Sequence, residues 1–153
     1  MSALTDQRRQ SADLVRLREV RMRAAAARLT EARLATAAAE RARAEADAAA
    51  DLAAEAHKGA KAGLTQDPGE AERLLAVLDR RRFERSLASE ALNEARDAEQ
   101  TRVQEESERR KAVILARARH DVLAERLQAL HHRAARQDEE RVALDAEDVR
   151  RFR

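Results

Sequence analysis

Only three glycines and one proline interrupt 153 residues of otherwise helix-forming sequence, and all four fall between residues 59 and 69. The stretch Lys58-Gly59-Ala60-Lys61-Ala62-Gly63-Leu64-Thr65-Gln66-Asp67-Pro68-Gly69-Glu70 is therefore the one place where the chain is expected to reverse. Gly59 suits the left-handed residue that ends a helix, with His57 and Lys58 in the last turn complementing the negative end of the helix dipole. Asp67 reads as the next N-cap, Pro68 as the first helical residue, and Glu70 as the third residue of a capping box. Gly69 inside that first turn costs about 1 kcal/mol against alanine. Stop, turn and start together predict an all-α fold: a long antiparallel two-helix coiled-coil hairpin. Its expected bounds are a helix over 7–58, a turn over 59–67 and a longer second helix over 68–150, forming one domain.

The composition supports a hairpin over a compact globule. Charged residues make up 39% and aromatics 1%, with Phe83 and Phe152 the only rings, so little bulk is present to fill a core. Much of the apolar fraction is alanine, which favours helix but buries little area per residue. Abundant Ala, Glu, Arg and Leu with few breakers is the signature of a long helix or coiled coil, and mixed charges of both signs argue against a disordered chain. Thirty-one basic residues against 29 acidic ones leave a formal charge of +2, which is no nucleic-acid footprint. Arginine supplies 28 of the basic residues, a bias expected of a GC-rich bacterial genome. The chain has no cysteine for a disulfide or thiol chemistry. It has no apolar run near the ~20 residues of a membrane span, and no apolar core of a signal peptide follows Met1. These features predict a soluble protein suited to the cytoplasm, with no membrane contact of its own.

The heptads place the seams. Asp6 reads as the first cap. Val15, Met22, Leu29 and Thr36 then repeat at one seam position and Ala25, Ala32, Ala39, Ala46 and Ala53 at the other, with Arg43 interrupting. Small seam residues let two helices approach closely. The second helix offers Leu74, Leu78, Arg81, Arg85, Ala88, Leu92 and Ala95, then a polar middle of Glu99, Arg102, Glu106 and Arg109. Val113, Ala116, His120, Leu123, Leu127, Leu130 and Ala134 follow, and Val142, Val149 and Phe152 keep a weak trace of the period. The polar middle is expected to be the loosest part, and whether the helix runs through it stays open.

With the turn centred near Gly63, the numbers of facing residues should add to about 127 in a hairpin. Helix one then ends opposite His120, leaving Leu123, Leu127 and Leu130 as an unpartnered apolar overhang, the usual mark of an interface. The same alignment brings two basic segments to one height. Residues 8–28 carry seven arginines against Asp13 and Glu19, and residues 109–119 carry Arg109, Arg110, Lys111, Arg117 and Arg119 with no acid, so each has a net charge of +5. This basic belt is also open to a plainer reading as a solvated helix face.

Catalytic chemistry finds no foothold. Two helices provide no concave site to hold groups in fixed geometry, so the chain is expected not to be an enzyme and to need no cofactor or metal. His131 and His132 are adjacent and diverge by about 100° on a helix. Gly59 and Gly63 belong to no phosphate-binding loop. The basic stretches lack the aromatics that stack on single strands, so nucleic acid is not an expected partner.

The segment Ala62-Gly63-Leu64-Thr65, followed by a helix opening with Leu74, Leu75, Leu78 and Phe83, resembles the FliJ/YscO family, the central stalk of flagellar and virulence type III secretion systems. The likeness in architecture covers nearly the whole chain, and that in residues only this segment. It implies a non-enzymatic stalk whose open end enters a hexameric export ATPase and whose turn end reaches an export gate protein, with export chaperones as further contacts. On that resemblance Arg16, Arg18, Arg21, Arg109, Arg110, Leu123, Leu127 and Leu130 would form the ATPase side, and Leu74, Leu75, Leu78 and Phe83 the gate side. Leucine or charge stands where flagellar members often carry aromatics, so flagellar and injectisome branches both stay open. The alternative reading is a generic coiled-coil scaffold or adaptor that associates with itself.

Overall fold

The computed structural model describes residues 3–66 and 68–151. It is all helix: α1 spans Ala3–Gln66, a 3-10 turn spans Pro68–Glu70, and α2 spans Ala71–Arg151. The two long helices pack antiparallel as the expected hairpin, with α2 the longer at 81 residues against 64.

The turn is shorter and later than the sequence predicts. α1 runs through both Gly59 and Gly63, and no described glycine has a positive φ. Gly59 is therefore no helix terminator, Lys58 and His57 lie well inside the helix, and the last turn of α1 carries no basic residue. The physical reason is the difference in breaking strength. A glycine costs a helix about 1 kcal/mol, which the surrounding Ala60, Lys61, Ala62 and Leu64 offset, whereas an interior proline costs about 3. Proline also drives the preceding residue out of the α region, so the helix stops where Pro68 forces it to. Pro68 and Glu70 belong to the 3-10 turn and not to the first turn of α2. The expected cap at Asp67, the ring of Phe152 and the side chain of Val149 lie outside the described residues. At the other end Asp6 sits within the first turn of α1, where its charge favours the dipole, and not before it as a cap.

Packing divides the chain into two compact units, a turn-end unit of Thr30–Glu108 and an open-end unit of Met1–Leu29 with Arg109–Arg153. In the turn-end unit α2 passes unbroken through Glu99–Arg109. The polar middle is bridged there by charge. Arg43 Nε approaches Glu99 Oε2 to 2.9 Å, Arg96 reaches Asp47 at 3.4 Å, and Arg33 stands 3.8 Å from Glu106. The Arg43 contact is ionic, since its N–H does not point along a hydrogen bond to the carboxylate. Arg43, which breaks the alanine seam, is thus the residue that engages the polar middle. Thr36 is buried between the helices, its hydroxyl 3.0 Å from the Ala32 carbonyl and 3.3 Å from the Arg102 carbonyl of α2. Leu92 is the buried leucine of this unit.

In the turn-end unit the numbers of cross-helix partners add to between 138 and 143, not about 127. Moving the reversal about six residues along the chain slides every pairing by about twice that.

The open-end unit is closed by hydrocarbon. Leu29, Leu130 and Ala134 are buried, Leu130 to 6% exposure, with Val15, Met22, Leu123 and Leu127 half-buried. Arg8 Nη2 donates to His131 Nδ1 at 2.9 Å, which fixes the register here. Leu123, Leu127 and Leu130 are accordingly packed in the seam and not an unpartnered overhang. The overhang lies further on: every described side chain from 135 to 148 is exposed, because α1 has run out beside it.

Candidate functional site

Apart from Arg8, which bonds His131 across the helices, the open-end unit carries its arginines outside the seam. α1 residues 8–28 face the stretch of α2 near 111–131, as the Arg8–His131 pair requires, so Arg16 and Arg18 do not stand level with Arg109 and Arg110. The belt is staggered, and it extends along α2 to Arg119 and Arg126. Some of it is locally neutralised. Arg16 lies 3.7 Å from Asp13, Arg23 bonds Glu19, Arg117 lies 3.9 Å from Asp121, and Arg110 is also engaged within the chain. Such exposed helical pairs contribute only about 0.3–0.5 kcal/mol each. Arg18, Arg21, Arg119 and Arg126 have no ion-pair partner among the described residues.

These free arginines share a face with exposed apolar side chains. Arg18, Ala118, Arg119, Val122 and Leu123 line one shallow groove of about 360 Å³. Leu14 lies four residues before Arg18 and Arg21 three after it, so helical spacing puts all three on one flank of α1. Leu115 stands beside Val122 on α2 by the same rule, seven residues earlier. Leu14 is 48% exposed, Leu115 51% and Val122 65%, and Leu17 extends the patch outward. A strip combining bulky apolar groups, a small residue at the groove and unpaired guanidinium groups suits a protein surface that is both apolar and acidic.

Of the residues assigned to this end by resemblance, Arg16, Arg21, Arg109 and Arg110 are exposed and Arg18 borders the groove. Leu123 forms part of the groove wall, whereas Leu127 and Leu130 face inward and support it. Whereas Arg119 already belongs to the basic belt read from the sequence, Leu14, Leu17, Leu115, Val122 and Arg126 escape sequence reasoning based on the seam alone. Their signal is a second stripe at i, i+3, i+4 and i+7 beside the heptad positions, which acquires meaning only when the register is known.

At the turn end the four expected residues do not form one surface. Leu74 and Leu78 are half-buried in the seam, Leu75 is exposed, and Phe83 points outward at 64% exposure. Its outward neighbour is Leu87, one turn further on and also exposed, so Phe83 and Leu87 are the apolar pair offered to solvent here. Glu84 beside them is held below the usual carboxylate range by hydrogen bonds from Arg81 and Arg80.

Among the described residues no cluster of three or more His, Cys, Asp or Glu is arranged to hold a metal ion, and no helix is long and apolar enough to cross a membrane. Comparison with protein-family models, with curated proteins and with solved structures finds no match to this chain.

Proposed function

We propose that this chain is a non-enzymatic coiled-coil stalk of a type III export apparatus, entering a hexameric export ATPase by its open end and reaching an export gate protein from its turn end. Export chaperones are further partners on this reading, and the protein works in the cytoplasm at the base of the apparatus. The observation that supports it most is the group of unpaired, solvent-facing arginines beside exposed Leu14, Leu115 and Val122 at the open end. A seam already closed by Leu29 and Leu130 does not need these side chains for its own stability, which leaves them to a partner. On this reading the contact lies on the flank of the leucine seam. Arg18, Arg21 and Arg119 take the ATPase-facing role, and Leu127 and Leu130 hold the two helices together beneath them.

The reading is tested by adding the full chain to a purified type III export ATPase. The native protein should promote hexamers and raise ATP hydrolysis, and an Arg18→Glu/Arg119→Glu variant should lose most of that stimulation while keeping its helical signal. Stimulation by neither protein, or equal stimulation by both, overturns the proposal.

A further inference from the structure

The last stretch of α2 and the flank of the open-end unit are chemical opposites. Residues 138–148 carry Asp138, Glu139, Glu140, Asp145, Glu147 and Asp148 against Arg141 alone, a net charge of −5. None of these six acids has an ion-pair partner among the described residues, and each is exposed. On one side of this helix Ala135, Val142 and Ala146 recur at intervals of seven and four, with Asp138, Glu139 and Asp145 along the edges. Val142 is 68% exposed. The groove flank offers the converse: Val122 and Leu115 beside Ala118, edged by Arg18 and Arg119.

The tail cannot satisfy its own groove. α2 is continuous from Ala71 to Arg151 and contains neither glycine nor proline, so the tail points on past the start of α1 and cannot fold back. The same tail on a second copy has no such restriction. We infer that two copies of this chain associate at their open ends, the acidic C-terminal helix of one lying along the arginine-edged groove of the other. At about 100° per residue the groove residues and the Ala135/Val142/Ala146 stripe lie on opposite sides of the unbroken α2, so a pair of copies makes one tail-to-groove contact, a heterologous association. The small residues at the meeting surfaces, Ala118 on one side and Ala135 and Ala146 on the other, permit the close approach of a third helix. Because the edges are ionic and exposed, the association is salt-sensitive and reversible. This inference goes beyond the export reading and does not rest on it. Its consequence for that reading is competition, since a copy whose groove holds a partner tail cannot offer Arg18 and Arg119 to another protein.

Sedimentation equilibrium of the full chain at low and high salt tests it. The native protein should be a dimer at low salt and dissociate as salt rises. Reversing the tail (Asp138→Lys/Glu139→Lys/Asp145→Lys) or the groove edge (Arg18→Glu/Arg119→Glu) should each raise the dimer dissociation constant about tenfold or more. Mixing the two reversed variants should restore a dimer, because the basic tail then meets an acidic groove or the unchanged acidic tail meets the unchanged basic one. All substituted positions are solvent-exposed or at the groove edge, and circular dichroism confirms that each variant stays helical. A native chain that is monomeric at low salt overturns the inference, as does a dimer indifferent to both reversals. Binding of the native monomer to anionic lipid vesicles in place of self-association also overturns it. Loss of ATPase stimulation with dimerisation intact would count against the export reading alone.

Discussion

The turn-end unit and the open-end unit close the same pair of helices by different means. Between Thr30 and Glu108 the helices are tied by Arg43–Glu99, Arg96–Asp47 and Arg33–Glu106 around a buried Thr36. At the open end Leu29, Leu130 and Ala134 do the closing, and arginines of the same kind are turned outward. The difference lies in where the charge goes. At one end guanidinium groups engage acids across the interface, and at the other an apolar seam leaves most of them turned to solvent. The two ends should therefore fail differently.

The largest expected effect is at the open end. Leu130→Ala should lower stability by about 2 kcal/mol, the low side for a buried leucine because the gap opens to solvent. Hydrogen exchange should accelerate over residues 3–29 and 109–136 and leave residues 30–108 protected. Equal acceleration along both helices would break the comparison by showing that the units open together.

The ionic unit should show the opposite sensitivity. Arg43→Ala leaves the half-buried Glu99 without its counter-charge and should destabilise by about 1 kcal/mol, whereas Arg43→Leu with Glu99→Leu should be neutral or mildly stabilising. Chemical denaturation of the three proteins separates these outcomes. A double variant as unstable as the single one would mean that the pair contributes more than packing can replace.

How much of this was legible in the sequence follows from one error of a few residues. The hairpin, its all-helical character and the longer second arm follow from the placement of the only breakers and from the heptads on either side. The bounds do not follow, because Gly59 and Pro68 both signal a break and only the proline, the stronger breaker by about 2 kcal/mol, ends the helix. Moving the reversal to Pro68–Glu70 slides the pairing, converts Leu123, Leu127 and Leu130 from overhang to seam, and reveals the acidic stretch 138–148 as the true overhang. The arginines were legible as a count, since charge needs no register. The groove that organises them was not, because the neighbours of Arg18 are decided by which residues of α2 lie beside it.

The two glycines inside α1 should show a smaller effect than the previous two substitutions. Gly59 and Gly63 lie inside α1 in ordinary helical conformation, and an added methyl group would meet no atom within 4 Å at either. Gly59→Ala and Gly63→Ala should each stabilise the turn-end unit by up to about 1 kcal/mol. A rise in thermal midpoint for both sharpens the view that proline alone makes the reversal. A fall for either would return that glycine to the turn.

The smallest expected effect belongs to Glu84, on the outer surface of the turn-end unit between Arg80 and Arg81. Its hydrogen bonds with Arg81 at 2.7 Å and Arg80 at 3.0 Å keep its carboxyl below the ordinary value of 4.5. A carboxylate depressed in the folded state adds stability that is fully present above its unfolded value and disappears as pH falls through the folded one. Glu84→Gln should therefore lower the thermal midpoint slightly at neutral pH, and the gap from the native protein should close below the depressed value. At neutral pH Arg43→Ala should cost more than Glu84→Gln, since the Arg43–Glu99 pair joins the two helices and is less exposed than the Glu84 pairs along α2. If Glu84→Gln proves the costlier of the two substitutions, ion pairs along a single helix outweigh those across the seam, and the contrast between the units loses its physical basis.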